Sequence, residues 1–267
     1  MKSINQLINL NGRRALITGA NGHLGQHLAI TIAELGGNLT LVDLHESINT
    51  KLCSKLNKNF DIQFEYIQCN IENENERADL ISKISMDSQP LNIVINNAAF
   101  VGTSKLKGWT SSFEDQSIET WRSAIEVNLT SVFDLSKGLT SKILSSKHGS
   151  IVNIGSTYGV VGPNYSLYEN TDMGNPAAYA ASKGGLVQLT RWLATTLGPE
   201  IRVNTISPGG IFREQSKEFV RRYEERTPLK RMASEEDFKG AIAFLSSDLS
   251  SYVTGQNILV DGGWTIW

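Results

Sequence analysis

The chain has 267 residues, 40% of them hydrophobic and 19% charged, which is enough to bury one large core. No stretch is long and polar enough to be a linker between two cores, so a single domain over residues 1–267 is predicted. The formal net charge of −2 gives no general reason to expect a nucleic-acid or membrane partner.

Residues 1–10 alternate polar and apolar side chains and lack the continuous apolar run of a secretory signal. No segment approaches the roughly 18 apolar residues of a membrane span, so a cytoplasmic protein is expected. Two cysteines, Cys53 and Cys69, and four scattered histidines suggest neither a disulfide framework nor a metal site.

Short apolar runs alternate with helical patterns along the whole chain. Several of these runs lack a polar alternate face, which is typical of strands covered by helices on both sides. The pattern predicts an α/β fold: a doubly wound, Rossmann-type parallel sheet of about seven strands with helices on both faces. The predicted strands are residues 15–17, 39–42, 64–67, 93–95, 151–154, 203–206 and 258–260.

A glycine-rich turn follows the first predicted strand and precedes a helical pattern. Gly19, Gly22 and Gly25 allow a tight turn and close backbone approach, and the free amides of the helix attract a pyrophosphate. Asp43 ends the next strand, where a carboxylate binds ribose hydroxyls and repels a 2′-phosphate. This arrangement predicts a dinucleotide site that prefers NAD(H), because residues 44–46 offer no lysine or arginine; the alternative is that Asp43 caps the next helix.

Tyr179 and Lys183 lie in a predicted helix that has Asn175 as its N-cap, Pro176 as its first residue and Gly198 at its end. Four residues make about one helical turn, so both side chains share one face, where an ammonium favours the ionised phenol. No other tyrosine has a lysine at this offset. By itself, such a pair is more often an ordinary surface pair.

The order of these motifs along the chain resembles the short-chain dehydrogenase/reductase family. The similarity covers nearly the whole sequence and rests on residues 18–25, 96–99, Asn128, Ser156, Tyr179 with Lys183, and residues 208–209, 228–232, 252–256 and 261–263. The resemblance implies hydride exchange between a nicotinamide cofactor and a secondary alcohol or ketone, in a homodimer or homotetramer.

The resemblance implies four catalytic residues: Asn128, Ser156, Tyr179 and Lys183. Hydride exchange leaves one proton to be moved at the substrate oxygen, so the Tyr179 phenol would act as acid or base. Lys183 and the positive nicotinamide would lower its pKa from the ordinary value near 10. Ser156 would bind the same substrate oxygen. Asn128 would hold a water that links Lys183 to solvent, although an asparagine within a helical stretch, here residues 118–144, more often bonds its own backbone.

The resemblance also implies the cofactor contacts. The main chain of Ile211 would bond the nicotinamide carboxamide, and the glycines before it would permit an unusual backbone course. Asn70 takes the place of an aspartate that commonly contacts adenine, and His23 the place of a glycine. The implied cofactor-binding residues are Gly19, Asn21, Gly22, His23, Leu24, Gly25, Asp43, Asn70, Ile71, Asn97, Ala98, Ala99, Tyr179, Lys183, Pro208, Gly209, Gly210 and Ile211.

Two loops are longer than in the short members of that family. The insert, residues 157–174, interleaves aromatic rings with amides and carboxylates, which suits a polyhydroxylated substrate. The second loop, residues 100–119, adds Lys105, Lys107 and Trp109. Solvated decorations or an oligomer contact are the alternative. The substrate candidates are Ser156, Tyr158, Tyr165, Tyr168 and Arg213.

The segment that corresponds to a mobile lid in the family, residues 212–232, is rich in basic side chains. Between Arg213 and Arg231 lie seven basic residues and four acidic ones. Such a segment could bind a phosphate or carboxylate of the substrate, with Arg213 nearest the cofactor, or it could be an ordinary exposed helix face.

The sequence therefore predicts an NAD(H)-dependent oxidoreductase acting on a sugar, sugar phosphate or nucleotide sugar, because the inserts resemble members of bacterial surface-polysaccharide and flagellar-glycan pathways. Reduction of a 3-oxoacyl thioester is the alternative enzymatic function. A sensor or scaffold protein that binds NAD without turnover is the alternative from another class.

Overall fold

The computed structural model describes residues 1–101 and 106–267. Its strands form one parallel sheet in the order β3-β2-β1-β4-β5-β6-β7. Each predicted strand is present and extends past the predicted ends by two residues or fewer, so the Rossmann-type prediction is confirmed. The strands are β1 Arg14–Thr18, β2 Asn38–Asp43, β3 Phe64–Gln68, β4 Ile93–Asn96, β5 Gly149–Ile154, β6 Ile201–Pro208 and β7 Asn257–Val260.

Helices cover both faces of the sheet, which explains why the central strands have no polar face: every residue of β1, β4 and β5 is buried. The helices are α1 Ile4–Ile8, α2 His23–Glu34, α3 Thr50–Asn59, α4 Glu74–Met86, α5 Ile118–Ile125, α6 Ser131–Leu144, α7 Ala177–Leu197, α8 Lys217–Arg226 and α9 Lys239–Ser246. One core cluster joins α2, α3 and α9 to the sheet, and a second joins α4, α6 and α7. Among the described residues, none of the helices combines the length and apolar character needed to cross a bilayer.

Helix α7 starts one residue later than the sequence predicts. Pro176 is the N-cap, with an extended ψ of 146°, and Ala177 is the first helical residue. The side chain of Gln116 replaces the predicted Asn175 cap, since its Oε1 accepts a hydrogen bond from the Ala177 amide at 3.0 Å. The other end lies as predicted, at Leu197 with Gly198 as the C-cap.

The predicted long helix of residues 118–144 is a continuous helical stretch with a π-helical turn, Glu126–Thr130, between α5 and α6. Asn128 sits inside this turn. Such turns are frequent at functional sites, because the extra residue re-aims side chains.

Candidate active site

A cleft of about 700 Å³ lies at the carboxyl ends of the strands. The chain reverses its strand order there, between β1 and β4, which is where open α/β sheets bind ligands. All predicted cofactor residues except Gly210 line this cleft, and so do Ser156 and Arg213. The lining residues that the sequence analysis missed are Val42, Leu44, His45, Cys69, Glu72, Phe100, Val101, Val127, Ile154, Gly155 and Gln215. Most of them adjoin a predicted residue at a strand end, which is the signal that could have found them.

The glycine-rich turn is packed too tightly for other residues. A Cβ on Gly25 would lie 2.0 Å from the Gly19 carbonyl oxygen. Gly19 has φ +66°, and a Cβ there would lie 2.8 Å from Ala98 Cα. Asn97 fastens the turn to the loop after β4, because its Nδ2 donates to the carbonyls of Thr18 and Gly19, each at 3.0 Å. These contacts present the start of α2 to the cleft, where its free amides suit a pyrophosphate.

Asp43 is nine-tenths buried at the end of β2 and faces the cleft. Its carboxylate accepts hydrogen bonds from the Asn21 amide at 2.9 Å and the His45 amide at 3.3 Å. The alternative that Asp43 caps the following helix is wrong, because Asn49 is the N-cap of α3. Asp43 instead sets the shape of the cleft where an adenosine ribose would lie.

The side chain of Asn21 serves the loop after β2. Its Nδ2 donates to the Ser47 carbonyl at 2.9 Å and to Tyr66 Oη at 3.1 Å, and its Oδ1 accepts from the Asn49 amide at 2.8 Å. Asn70, at the other side of the cleft, accepts from the Glu72 amide at 3.1 Å through its Oδ1. In both residues the polar side-chain atoms already stabilise local loops, so their cofactor contacts stay predictions.

Tyr179 and Lys183 lie one turn apart on α7 and both line the cleft. Lys183 is only 2% exposed, and its Nζ donates to the Ile154 carbonyl at 2.7 Å and lies 5.8 Å from the centroid of the Tyr179 ring. Burial lowers the pKa of Lys183 to about 8. Burial also raises the pKa of Tyr179, and the hydroxyl of Ser156 acts in the opposite direction. The expected lowering of the Tyr179 pKa by Lys183 is therefore not found in the protein alone, because removal of the phenol from water dominates.

Ser156 lies two residues after the end of β5 and is 7% exposed. A short 3₁₀ turn, Thr157–Gly159, continues from it and packs on α7: a Cβ on Gly159 would lie 2.7 Å from the Lys183 carbonyl carbon. This close contact fixes the serine relative to the helix that carries Tyr179. Ser156 and Lys183 are 27 positions apart in the sequence. In the fold, both line the cleft together with Tyr179, which interacts with each of them.

Asn128 joins the loop after β4 to α7. It is 1% exposed; its Oδ1 accepts from the Phe100 amide at 2.7 Å, and its Nδ2 donates to the Ser182 hydroxyl at 3.0 Å. Its Nδ2 also reaches the Phe100 carbonyl at 3.3 Å. The side chain therefore connects the loop after β4 to the helix that carries Tyr179 and Lys183, while the predicted water-holding role stays a prediction.

The insert is packed against α8 and the C-terminal segment, so it is not a solvated decoration. Leu167 of the insert is 2% exposed. The hydroxyls of Tyr158 and Tyr168 hydrogen-bond each other, and burial raises the pKa of both phenols. Tyr165 is 65% exposed. Since none of these three tyrosines lines the cleft, their predicted contact with substrate stays a prediction.

Of the basic residues that the sequence suggests for substrate binding, only Arg213 is found in the lining of the cleft among the described residues. Arg213 lines the cleft, where its Nε donates to Glu235 Oε1 at 3.2 Å. Lys107 is exposed, and Lys105 lies outside the described residues.

Trp109 is 2% exposed and donates through Nε1 to the Val101 carbonyl at 2.7 Å, so it supports its own loop. In the described part of the chain, no group of three or more His, Cys, Asp or Glu side chains is arranged to hold a metal ion.

Comparisons with known proteins agree with this geometry. Residues 19–265 match the family model described as enoyl-(acyl carrier protein) reductase. The chain is 32% identical over 264 residues to the 3-oxoacyl-[acyl-carrier-protein] reductase FabG of Rickettsia felis, covering 96% of this chain and 98% of that protein. It is 29% identical over 257 residues to the post-translational flagellin modification protein A of Campylobacter coli, covering 96% and 99%. Among solved structures, a short chain dehydrogenase from Leptospira borgpetersenii with bound NAD+ is 33% identical, with a TM-score of 0.83 and coverage of 99% and 96%.

Proposed function

The chain belongs to the short-chain dehydrogenase/reductase family, and from this premise we propose that it moves hydride between NAD(H) and a secondary alcohol or ketone. The observation that carries the proposal is the meeting of Ser156, Tyr179 and Lys183 at one end of the cleft. An NAD-binding sensor or scaffold has no need of a phenol and an ammonium on one helix face beside a serine.

The lining of the cleft fits a nicotinamide dinucleotide. The start of α2 would hold the pyrophosphate, Asp43 the adenosine ribose, and the main chain of Ile211 the carboxamide; the bound dinucleotide would supply or accept the hydride. The closely packed Gly19 and Gly25 leave the backbone accessible there. A preference for NAD(H) over NADP(H) is supported by the buried Asp43 carboxylate, which repels a 2′-phosphate, and by the lack of lysine or arginine in residues 44–49.

Side chains of the protein would transfer the proton to or from the substrate oxygen. With its pKa raised by burial, Tyr179 keeps its proton at Oη at neutral pH, as an acid for carbonyl reduction must. Ser156 Oγ would donate to the substrate oxygen and stabilise the charge that develops on it. Lys183 would supply positive charge beside the phenol, and its bond to Ile154 holds the ammonium in place.

For the substrate we infer a sugar, sugar phosphate or nucleotide sugar. The Campylobacter relative, named for flagellin modification, and the polar insert support this class. The insert borders the serine end of the cleft because its first turn, Thr157–Gly159, follows Ser156 directly. Reduction of a 3-oxoacyl thioester is the second candidate, and the similarity to the Rickettsia reductase favours it.

One panel of assays tests the proposal. The purified protein is supplied with NADH or NADPH and with keto-sugars, their phosphates and nucleotides, or an acetoacetyl thioester. Turnover of keto-sugars with NADH is expected. Activity restricted to the thioester would transfer the assignment to the second candidate. Dinucleotide binding without any turnover on a broad panel of alcohols and ketones would favour a sensor.

We also infer that the protein is a homodimer or homotetramer. Large apolar side chains on neighbouring helices are exposed in the single chain: Trp121 on α5 is 38% exposed, Phe133 on α6 43% and Trp192 on α7 55%. Apolar side chains grouped in this way commonly mark a protein interface, and a second copy would bury the same patch on both sides.

A further inference from the structure

The two glycines after β6 are required for a reason that the sequence does not reveal. Neither Gly209 nor Gly210 has a positive φ, so the expected unusual backbone course is wrong. A Cβ on Gly210 would lie 2.8 Å from Cε2 and Cζ of Tyr223, and a Cβ on Gly209 would lie 3.0 Å from Tyr223 Oη. Gly210 therefore makes room for the ring of Tyr223, whereas a Cβ on Gly209 would first meet Asp261 Cα, at 2.7 Å.

Tyr223 supports the loop from the side away from the cleft. It lies on α8, is 5% exposed, and its Oη accepts a hydrogen bond from the Gly210 amide. The other side of the same segment faces the cleft through Pro208, Gly209 and Ile211. Tyr223 and Gly210 line a separate cavity of about 120 Å³ behind it. The phenol therefore helps to position a loop that borders the cofactor cleft, beside the backbone bonds from the Gly209 amide to the Val260 carbonyl and from the Ala233 amide to the Gly210 carbonyl, each at 2.9 Å.

The ring of Tyr223 belongs to an aromatic cluster that includes the insert. It stacks on Trp264, with centroids 5.8 Å apart and planes 13° apart, and lies 6.1 Å from Phe219. Trp264 meets Tyr158 edge-on at 6.0 Å, and Phe219 lies 5.8 Å from Tyr168. The hydroxyl bond between Tyr158 and Tyr168 closes this set. Contact is therefore continuous from the insert to the loop after β6.

We propose that Tyr223 is a positioning residue for residues 208–211, and that the insert sets the position of this loop through the aromatic cluster. This deepens the proposed function and rests on it, since the loop matters only if a dinucleotide occupies the cleft. Tyr223 acts through Gly210 and is not a catalytic residue. In this proposal the insert contributes to cofactor binding by packing, and the lid helix α8 is the part that transmits its position.

The first test removes one oxygen atom. Tyr223→Phe keeps the ring but leaves the Gly210 amide without its acceptor. We expect KM for the dinucleotide to rise roughly 5-fold to 150-fold, which corresponds to about 1–3 kcal/mol for an unsatisfied buried amide. The value of kcat should change much less, whereas a merely structural role would lower the active fraction and leave KM unchanged. Tyr252→Phe is the matched control, because Tyr252 is fully exposed. An unchanged KM in Tyr223→Phe would overturn the proposal.

The second test separates space from backbone conformation. Gly210→Ala should raise KM for the dinucleotide, because the new methyl group meets the Tyr223 ring. In a Tyr223→Leu background the same glycine change should add little further loss, since the two sites share one steric conflict. Equal losses in both backgrounds would show that the glycine is needed for another reason and would contradict the steric part of the proposal.

A third variant tests the link to the insert. Tyr168→Phe removes the hydroxyl bond to Tyr158, and we expect a smaller rise in KM for the dinucleotide in the same direction. Tyr252→Phe, at a fully exposed position outside the insert, should change nothing. A wild-type KM in Tyr168→Phe would remove the insert from the proposal. If the unmodified protein fails to bind NADH and NADPH in a fluorescence titration, the proposed function itself fails; if it binds and Tyr223→Phe binds equally well, only this inference fails.

Discussion

Lys183 Nζ lies 2.7 Å from the carbonyl oxygen of Ile154, the last residue of β5, and this hydrogen bond joins α7 to the central sheet beside the cleft. Ser156 follows β5 two residues later, and Tyr179 precedes Lys183 by one turn on α7. Together with the bond from Asn153 Nδ2 to Thr190 Oγ1 at 2.8 Å, the Lys183 bond holds the two elements that carry the proposed reacting groups at a fixed distance.

Tyr179→Phe removes the proton donor and little else. Because proton transfer by a positioned side chain contributes about 10²-fold to 10⁴-fold, we expect turnover to fall by at least two orders of magnitude. Affinity for NADH should stay within about threefold, since the ring remains. Steady-state turnover and a fluorescence titration with NADH measure the two quantities. The control is Tyr252→Phe, at a fully exposed position, and a Tyr179→Phe variant with normal turnover would refute the assigned role.

The charge of Lys183 should make stability depend on pH. Burial lowers its pKa from 10.5 to about 8, so between these values the unfolded chain binds more protons than the folded one, and the free energy of unfolding rises with pH. Relative to Lys183→Met, the wild type should gain stability as pH rises from about 8 towards 10. Tyr179, whose pKa is raised, acts in the opposite direction only above about 10.

Urea unfolding of both proteins at several pH values in this window measures the difference. The comparison cancels contributions from the other titrating groups, which the two proteins share. If the difference in the free energy of unfolding stays flat or shrinks as pH rises, the pKa of Lys183 is not lowered in the folded protein.

Asp43→Asn should shift the cofactor preference. The change removes the negative charge and weakens the acceptors for ribose hydroxyls, and hydrogen bonds to charged groups contribute about 1.5–3 kcal/mol each. The ratio of kcat/KM for NADH to that for NADPH should fall at least about 10-fold. Glu46→Gln is the matched control, because it removes one negative charge from an exposed position on the same loop. An equal change in the cofactor preference of both variants would mean that the preference depends on the net negative charge of this loop and not on the position of Asp43.

Asn128→Ala should lower both stability and turnover. It leaves the Phe100 amide and the Ser182 hydroxyl without their buried partner, which we expect to cost about 2–4 kcal/mol in the free energy of unfolding. Urea unfolding gives the stability, and turnover is measured on the folded fraction. Asn75→Ala, at an exposed position of α4, should lose less than about 1 kcal/mol. If Asn128→Ala is as stable as the wild type, the hydrogen bonds of Asn128 to Phe100 and Ser182 do not contribute to stability.

Trp192→Glu should disrupt the oligomer. Placing a charge on the exposed apolar surface of α7 opposes its burial against a second copy, because an unpaired charge is poorly tolerated in an interface. Sedimentation equilibrium should show smaller species than for the wild type. A mutation to glutamate at Tyr252, a fully exposed residue that is not part of α5, α6 or α7, serves as the control. An unchanged mass in Trp192→Glu would place the interface elsewhere.

The sequence alone determined the sheet and most of the cleft. Apolar runs such as residues 93–95 and 151–154 give strands whichever neighbours they meet, since a run covered on both sides has no polar face to expose. Gly19, Asp43 and Ser156 come at the carboxyl ends of such strands, and a parallel sheet brings those ends to one edge. The pair of Tyr179 and Lys183 is local, so helical spacing alone places it.

Only the tertiary structure decided how groups distant in sequence share space. Burial raises the pKa of Tyr179 where sequence logic expected a neighbouring lysine to lower it, and desolvation depends on the whole surrounding fold. Gly210 is small because Tyr223 approaches it, and Tyr158 bonds Tyr168 instead of lining the cleft. Such contacts join segments that have no fixed spacing along the chain, so no sequence period reports them; they exist only once the core has brought the segments together.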